Sequence, residues 1–369
     1  MPEHGRLGIR QLTILTIMIV MGDMMMIYPS VIASFSGQNA WLNAFIGIPL
    51  GMGLMYLYVK LADTYPGENL FGIFKKILGF WPGTLLSLIY LMYFIFGSST
   101  QARVVGDFMT SEIFMFTPIR VVLLIFYIVI GWGIYNGLET IGRSSEILLP
   151  IVTVFMFVLV ICLLPQTDLD QLRPFTDTNM QQISKGLMVS FIYPVGEAIP
   201  ILMLLPYSSQ QAHRTRDLVI GAGFGNFLMA VLVTISLLVM GLFLTQHSIF
   251  GSFVLAQKIN IANFFQRIEV LMASSWLIST YFKSTIYLYA FIVGTAELFG
   301  FKASRFLVLP SVLSAFALSN IVSPTLSFIV TLAIPYWLEW DITLCLIFPV
   351  MLLIIHQIKS KMKLKKGMA

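Results

Sequence analysis

The chain has 369 residues, of which 58% are hydrophobic and 11% charged, and its formal net charge is +5. A soluble domain of this length needs far more polar surface to stay dissolved, so the composition excludes one. Two distant cysteines, Cys162 and Cys345, exclude a disulfide framework, and the basic excess sits in short loops and the C-terminal segment, where it sets topology and calls for no nucleic acid.

Apolar blocks of roughly 18 to 25 residues, the length that crosses a ~30 Å hydrocarbon layer, recur along the chain. They predict an all-α polytopic membrane protein with ten transmembrane helices at 11–34, 41–59, 84–102, 119–138, 147–164, 183–206, 218–244, 268–298, 305–321 and 341–358. The first block lacks a small-residue cleavage site and is interrupted by Asp23, Tyr28 and Pro29, so it reads as a retained span. With the N-terminus inside, 15 of the 22 basic residues fall on inside segments and six outside, leaving Lys283 alone within a span. That asymmetry places both termini in the cytoplasm. The segment 324–338 is apolar but short and carries Pro335; it reads as an outer half-helix leading into the tenth span. The mixed stretch 247–266 reads as an external helix lying over the bundle. The whole is a single membrane domain, 1–369: a first repeat at about 11–164, an outside loop at about 165–182, a second repeat at about 183–358 and a basic cytoplasmic tail at 359–369.

Five spans on each side of the loop make the halves antiparallel if they share a fold, which is the inverted-repeat arrangement. Its sequence pointer is a Gly/Pro-interrupted span at matching positions in the two halves. The first span holds Gly22-Asp23-Met24-Met25-Met26-Ile27-Tyr28-Pro29, and the sixth holds Tyr193-Pro194-Val195-Gly196-Glu197-Ala198-Ile199-Pro200. Proline removes a backbone donor and crowds the carbonyl four residues earlier, so Pro29 frees Met25, Pro194 frees Ser190 and Pro200 frees Gly196. Freed backbone groups at mid-membrane are tolerated where they line a polar cavity or bind something. A plain kink accounts for one such cluster; two at equivalent places, each with a carboxylate, point to a binding site.

Asp23 and Glu197 fall near the centres of their spans, where an acid costs roughly 2.5 kcal/mol or more and faces the bundle interior. Ligand ammonium binding, cation coordination, proton carriage and simple bonding of a broken helix end all fit them. Lys283 either snorkels to the cytoplasmic surface or faces the broken helices as a fixed ammonium, paired with Asp23 or Glu197 in place of a bound sodium ion. Tyr287 follows it at i+4, and on the third span Tyr93 and Gly97 stand at i and i+4, a phenol beside a gap. The expected substrate-binding set is Gly22, Asp23, Met26, Tyr93, Gly97, Tyr193, Val195, Gly196, Glu197, Lys283 and Tyr287. No nucleophile–base set, metal cluster or phosphate loop appears, so neither an enzyme nor a cofactor or metal is expected.

Further segments carry a family resemblance. They are Asp63-Thr64-Tyr65-Pro66-Gly67-Glu68-Asn69-Leu70 and Ile77-Leu78-Gly79 before the third span, and Asn136-Gly137-Leu138-Glu139-Thr140-Ile141-Gly142-Arg143 after the fourth. Tyr193-Pro194-Val195-Gly196-Glu197, Arg267-Ile268-Glu269 and Phe282-Lys283-Ser284 complete the pattern. In order and spacing, over nearly the whole chain, they resemble spore germination permeases, the B subunits of endospore germinant receptors within the amino acid–polyamine–organocation superfamily. The resemblance implies a leucine-transporter-type fold, with broken first and sixth helices in a 5+5 inverted repeat. It also implies a nutrient such as an amino acid as ligand, A- and C-type receptor subunits as partners, and residence in the inner spore membrane. In sodium-coupled relatives, small hydroxyl residues of the eighth span hold the ion against the first-span break; here Lys283 falls at that place. A proton-coupled amino-acid permease is the alternative reading, since sensing and transport can use one pocket.

Overall fold

The computed structural model describes residues 7–173, 180–208, 213–259, 268–301, 303–323, 325, 328 and 334–367. These residues form helices and connecting turns, with no strand among them. The first span is split into α1 (Ile9–Met21) and α2 (Met24–Ser36), and α3 (Ala40–Asp63), α4 (Leu70–Leu78), α5 (Phe80–Phe108), α6 (Ile119–Tyr135) and α7 (Leu138–Leu163) follow. The second half opens with another split span, α8 (Met180–Val195) and α9 (Ile201–Leu204). Then come α10 (Arg214–His247), α11 (Gly251–Gln257), α12 (Glu269–Leu298), α13 (Val308–Ile321), α14 (Ile334–Asp341) and α15 (Phe348–Gly367), the last two joined by a wide π turn over Ile342–Ile347.

Six stretches among the described residues are long and apolar enough to cross a membrane: Met24–Asp63, Phe80–Ile113, Leu138–Gln166, Met180–Tyr207, Arg214–His247 and Tyr336–Met362. Ile9–Met21, Ile119–Tyr135 and Arg305–Ile321 are shorter apolar helices. The 30-residue α12 is absent from both groups because its serines, threonines, tyrosines and Lys283 lower its hydropathy, and most of those groups are buried.

The two breaks follow from the backbone chemistry of the sequence. Gly22, at a φ of 28°, stops α1 in a conformation that costs glycine little. Pro194, Gly196 and Pro200 divide α8 from α9. Each carbonyl freed by Pro29, Pro194 or Pro200 lies within reach of a hydroxyl from another element. Ser252 Oγ donates to Met25 O at 2.8 Å, Tyr28 OH to Ser190 O at 3.2 Å, and Tyr58 OH to Gly196 O at 3.0 Å. The π turn likewise exposes carbonyls: Tyr90 OH donates to Leu344 O, and the single proton of Tyr58 OH is shared between Cys345 O at 2.6 Å and Gly196 O. These carbonyls therefore meet donors of the protein itself, as a hydrocarbon surrounding demands.

Polar contacts sort the two ends of the bundle. Near the termini, Leu7 N donates to Tyr207 O at 3.0 Å, Arg10 pairs with Glu146 at 3.7 Å, Arg214 pairs with Asp63, and Lys359 Nζ reaches Ile77 O at 2.6 Å. At the far end, Asp168 N donates to Leu238 O at 3.0 Å, Gln246 reaches Ala33 O at 2.9 Å, and Phe108 packs against Phe250 and Phe253.

The structure departs from the sequence expectation at Arg103 and adds detail elsewhere. Helix α5 runs to Phe108, so Arg103 lies within it and not in an outside segment. It is buried and pairs with Asp107 one turn on at 3.1 Å, which is how the helix tolerates both charges, so Lys283 is not the only basic residue enclosed by the bundle. Helix α15 continues through the basic residues of the expected tail to Gly367. The expected outer half-helix lies mostly outside the described residues; its described end, Ile334–Asp341, runs directly into the last span. Of the stretch read as an external helix, Gly251–Gln257 is helical, and 260–266 lies outside the described residues, as does 174–179 of the outside loop.

Single cysteines at Asp170 and at Lys361, on a background lacking Cys162 and Cys345, should react with an impermeant maleimide from opposite faces of oriented vesicles. Labelling of both from one face would contradict this arrangement of the ends.

Candidate functional site

The two breaks meet at α12. Lys283 stands near the middle of that helix with no exposure, and its Nζ donates to Asp23 Oδ1 at 2.6 Å and to Glu197 Oε2. The snorkelling orientation is therefore not the one adopted. Room for the lysine comes from Gly22, because a Cβ there would collide with Lys283 Cδ. An isolated ammonium in such surroundings is untenable: its transfer from water to a medium of low dielectric costs of order 20 kcal/mol before pairing and relaxation. One carboxylate from each interrupted span answers it.

The same helix satisfies the carbonyls of the breaks. Ser279 Oγ donates to Gly22 O at 3.1 Å, Trp276 Nε1 to Asp23 O at 3.1 Å, and Tyr287 OH to Glu197 O at 2.8 Å. From α14, Trp337 Nε1 donates to Glu197 Oε1 at 2.9 Å, so both oxygens of Glu197 are engaged. Toward the termini, Tyr93 OH donates to Asp341 Oδ1 at 2.7 Å and lies 3.3 Å from Tyr287 OH. Asp341 is fully buried, and its Oδ2 has no hydrogen-bond partner.

Above this layer lies a cavity of about 390 Å³. Asp23, Gly97, Tyr193 and Glu197 contribute to its floor and walls, and Phe96, Trp337 and Trp340 make much of its aromatic lining. Val31, Val104 and Val322 line it toward the end of the bundle opposite the termini. Its size falls in the range of small-molecule sites.

The expected site residues thus divide. Asp23, Gly97, Tyr193 and Glu197 line the cavity, while Gly22, Lys283, Tyr93 and Tyr287 form the buried layer beside it. Met26 is fully buried and is not part of the lining. Val195 packs against Gly51 of α3, and Gly196 lies against Cys345. The gap at Gly97 is already filled on one side by the ring of Tyr287. Sequence reasoning did not single out Trp276, Ser279, Trp337, Asp341 or Gln101. Asp341 carried a signal, since an acid opening an apolar block is as unusual as Asp23, and Trp337 stands one turn before it on the same face.

Comparison with known proteins bears on this geometry. A family model described as "Spore germination protein" matches residues 6–329. Spore germination protein KB of Bacillus subtilis (strain 168) is 25% identical over 328 residues, covering 88% of this chain and 87% of that one. Spore germination protein XB of Bacillus anthracis is 22% identical over 263 residues, covering 69% and 71%. Among solved structures, MhsT in complex with L-phenylalanine superposes with a TM-score of 0.65 at 13% identity, covering 94% of this chain and 97% of that one. Mhp1, a nucleobase-cation-symport-1 family transporter in a closed conformation with bromovinylhydantoin bound, gives 0.62 at 12% identity, covering 87% and 73%. These likenesses establish the leucine-transporter-type fold.

A Cβ at Gly97 would stand 2.5 Å from Tyr287 Cε1. Gly97→Val should therefore destabilise the protein by about 1–3 kcal/mol through overpacking. Combined with Tyr287→Ala, the loss should fall short of the sum of the single losses, measured as thermal unfolding in detergent. Additive losses would show that the two residues do not compete for the space.

Proposed function

The chain belongs to the spore germination protein family, a family of multi-pass membrane proteins and not of enzymes, and from that premise we propose that it is the nutrient-sensing membrane subunit of a germinant receptor. It binds an amino acid or similar small nutrient in the cavity between the two broken helices, and occupancy triggers germination. It works beside A- and C-type receptor subunits in the inner spore membrane, with both termini in the cytoplasm, consistent with the excess of basic residues at that end of the bundle.

One observation carries the reading: a cavity of ligand size at the meeting of the two breaks, whose floor already holds its own cation. Ser279 and Lys283 both face the first break from α12, and the ammonium bridges the two acids that would otherwise need a bound ion. A sensor needs its pocket preorganised and does not need an ion gradient to load it. The Lys283 bridge suits that task, since its charge is covalently fixed and independent of the ions outside.

The permease reading has one specific observation in its favour. Asp341 is enclosed beside Tyr93 with a carboxyl oxygen unbonded, a place where a proton could be held. Counter-flow uptake of labelled nutrient into proteoliposomes separates the two readings, because a sensor shows binding without exchange.

Spores lacking this chain should lose their response to its nutrient, and the wild-type gene should restore it. Glu197→Gln at equal protein level should demand about tenfold more nutrient, because it removes the charged hydrogen bond to Lys283, worth about 1.5–3 kcal/mol, and leaves Asp23 alone to balance the ammonium beneath the cavity. Nutrient affinity of the purified wild type should be unchanged when sodium is replaced by potassium or choline at constant ionic strength. A full response in the deleted strain, or sodium-dependent binding, would defeat the proposal.

A further inference from the structure

The charges that a bound molecule would meet are all of one sign. Asp23 and Glu197 are the charged residues of the cavity lining, and both are acids. Lys283 neutralises one charge of the two, but it is fully enclosed behind them and no part of it lines the cavity. Glu197 has both oxygens engaged, by Lys283 and by Trp337. Asp23 offers Oδ1 to Lys283, and its side chain retains 10% exposure at the cavity, so it is the carboxylate within a ligand's reach. The group of three therefore presents one net negative charge to the cavity, without counting Asp341 behind Tyr93.

Among the described residues no lysine, arginine or histidine lines the cavity, so an α-carboxylate meets no counter-charge there. The amides at the start of α2 are the obvious donors, yet they follow directly on Asp23, whose own carboxylate is already there. Like charges in a desolvated site repel strongly. Higher in the cavity, Gln101 is 4% exposed, and its Oε1 has no hydrogen-bond partner. It stands one helical turn, about 6 Å, beyond Gly97. Its carboxamide carries both an acceptor and Nε2 donors but no charge, so it matches a neutral amide or hydroxyl of the ligand and gives no counter-charge to a carboxylate. Between these points the walls are aromatic, with Phe96, Tyr193, Trp337 and Trp340, surfaces that favour both an apolar body and a cation.

Resting on the reading of this cavity as the nutrient site, we infer that its ligand is a monocationic amine on a bulky apolar body, whose second polar group is neutral and not a carboxylate. The ammonium sits on Asp23, the apolar body lies along Trp337 and Phe96, and the neutral group reaches Gln101.

Two matched sets of probes test this on the purified protein in nanodiscs, by calorimetric binding. One set is phenylalanine, phenylalaninamide, 2-phenylethylamine and 3-phenylpropionate; the other is leucine, leucinamide, isopentylamine and 4-methylpentanoate. The amides and simple amines should bind at least tenfold more tightly than the parent amino acids, and the acids should not bind. Asp23→Asn should weaken the amines at least tenfold, and Gln101→Leu should weaken the amides more than the simple amines. Tighter binding of the amino acids than of their amides and amines would overturn the inference while leaving the cavity as the nutrient site. No binding by any of the eight would overturn both. The wild-type comparison needs no variant, so a misfolded Asp23→Asn protein does not remove the test.

Discussion

A lysine ammonium enclosed within a membrane protein and out of reach of water is stable only where fixed negative charge surrounds it. Lys283 meets that condition with two carboxylates, one from each interrupted span. The pairing ties together three parts of the chain that are distant in sequence: the first break, the sixth-span break and the middle of α12. Much else in the core is arranged around it. Gly22 is bare because the lysine stem occupies the space a side chain would need. Trp337 of α14 holds the remaining oxygen of Glu197, bringing the last span against the same point.

A second constraint acts alongside the first. Three prolines and two broken helices leave backbone carbonyls without their helical donors, in surroundings where each unbonded group is costly. The chain answers with hydroxyls and an indole, Ser252, Tyr28, Tyr58, Ser279, Tyr287 and Trp276, each placed on another element. Those donors explain why α12 is less apolar than its neighbours although most of it is buried. They also stiffen the floor of the cavity, so the acid facing it, Asp23, is held in place before any ligand arrives. That preorganisation reduces the ordering cost of binding.

The breaks were legible in the sequence because glycine and proline act locally: Pro29, Pro194 and Pro200 each name the carbonyl they free. Asp23, Glu197 and Lys283 were legible because charge is rare in apolar spans, and rarity is visible without a fold. Which partners they take was not, since Lys283 could have snorkelled, and only the three-dimensional path of α12 excludes it. Ser252, Trp276 and Trp337 escaped notice because serine and tryptophan are common in membrane helices, and nothing local marks one as a donor to a distant carbonyl. Arg103 reads in the sequence as lying outside its span because an arginine alone argues against burial, whereas the Arg103–Asp107 pair does not. Asp341 reads in the sequence as the start of a span, whereas it lies at the join of two helical segments, a join set by a π turn that residue spacing does not announce.

The central claim is that Lys283 is stabilised by charge from both breaks and not by packing alone. The most direct measurement is a pair of double-mutant cycles, Lys283→Met with Asp23→Asn and Lys283→Met with Glu197→Gln, followed by unfolding in nanodiscs. Lys283→Met alone should lose about 3–5 kcal/mol, the cost of leaving a buried charge without its partner. Each double variant should recover part of that loss, giving coupling well above ~0.5 kcal/mol in both cycles. Strict additivity in both, with a nearly silent Lys283→Met, would contradict the account.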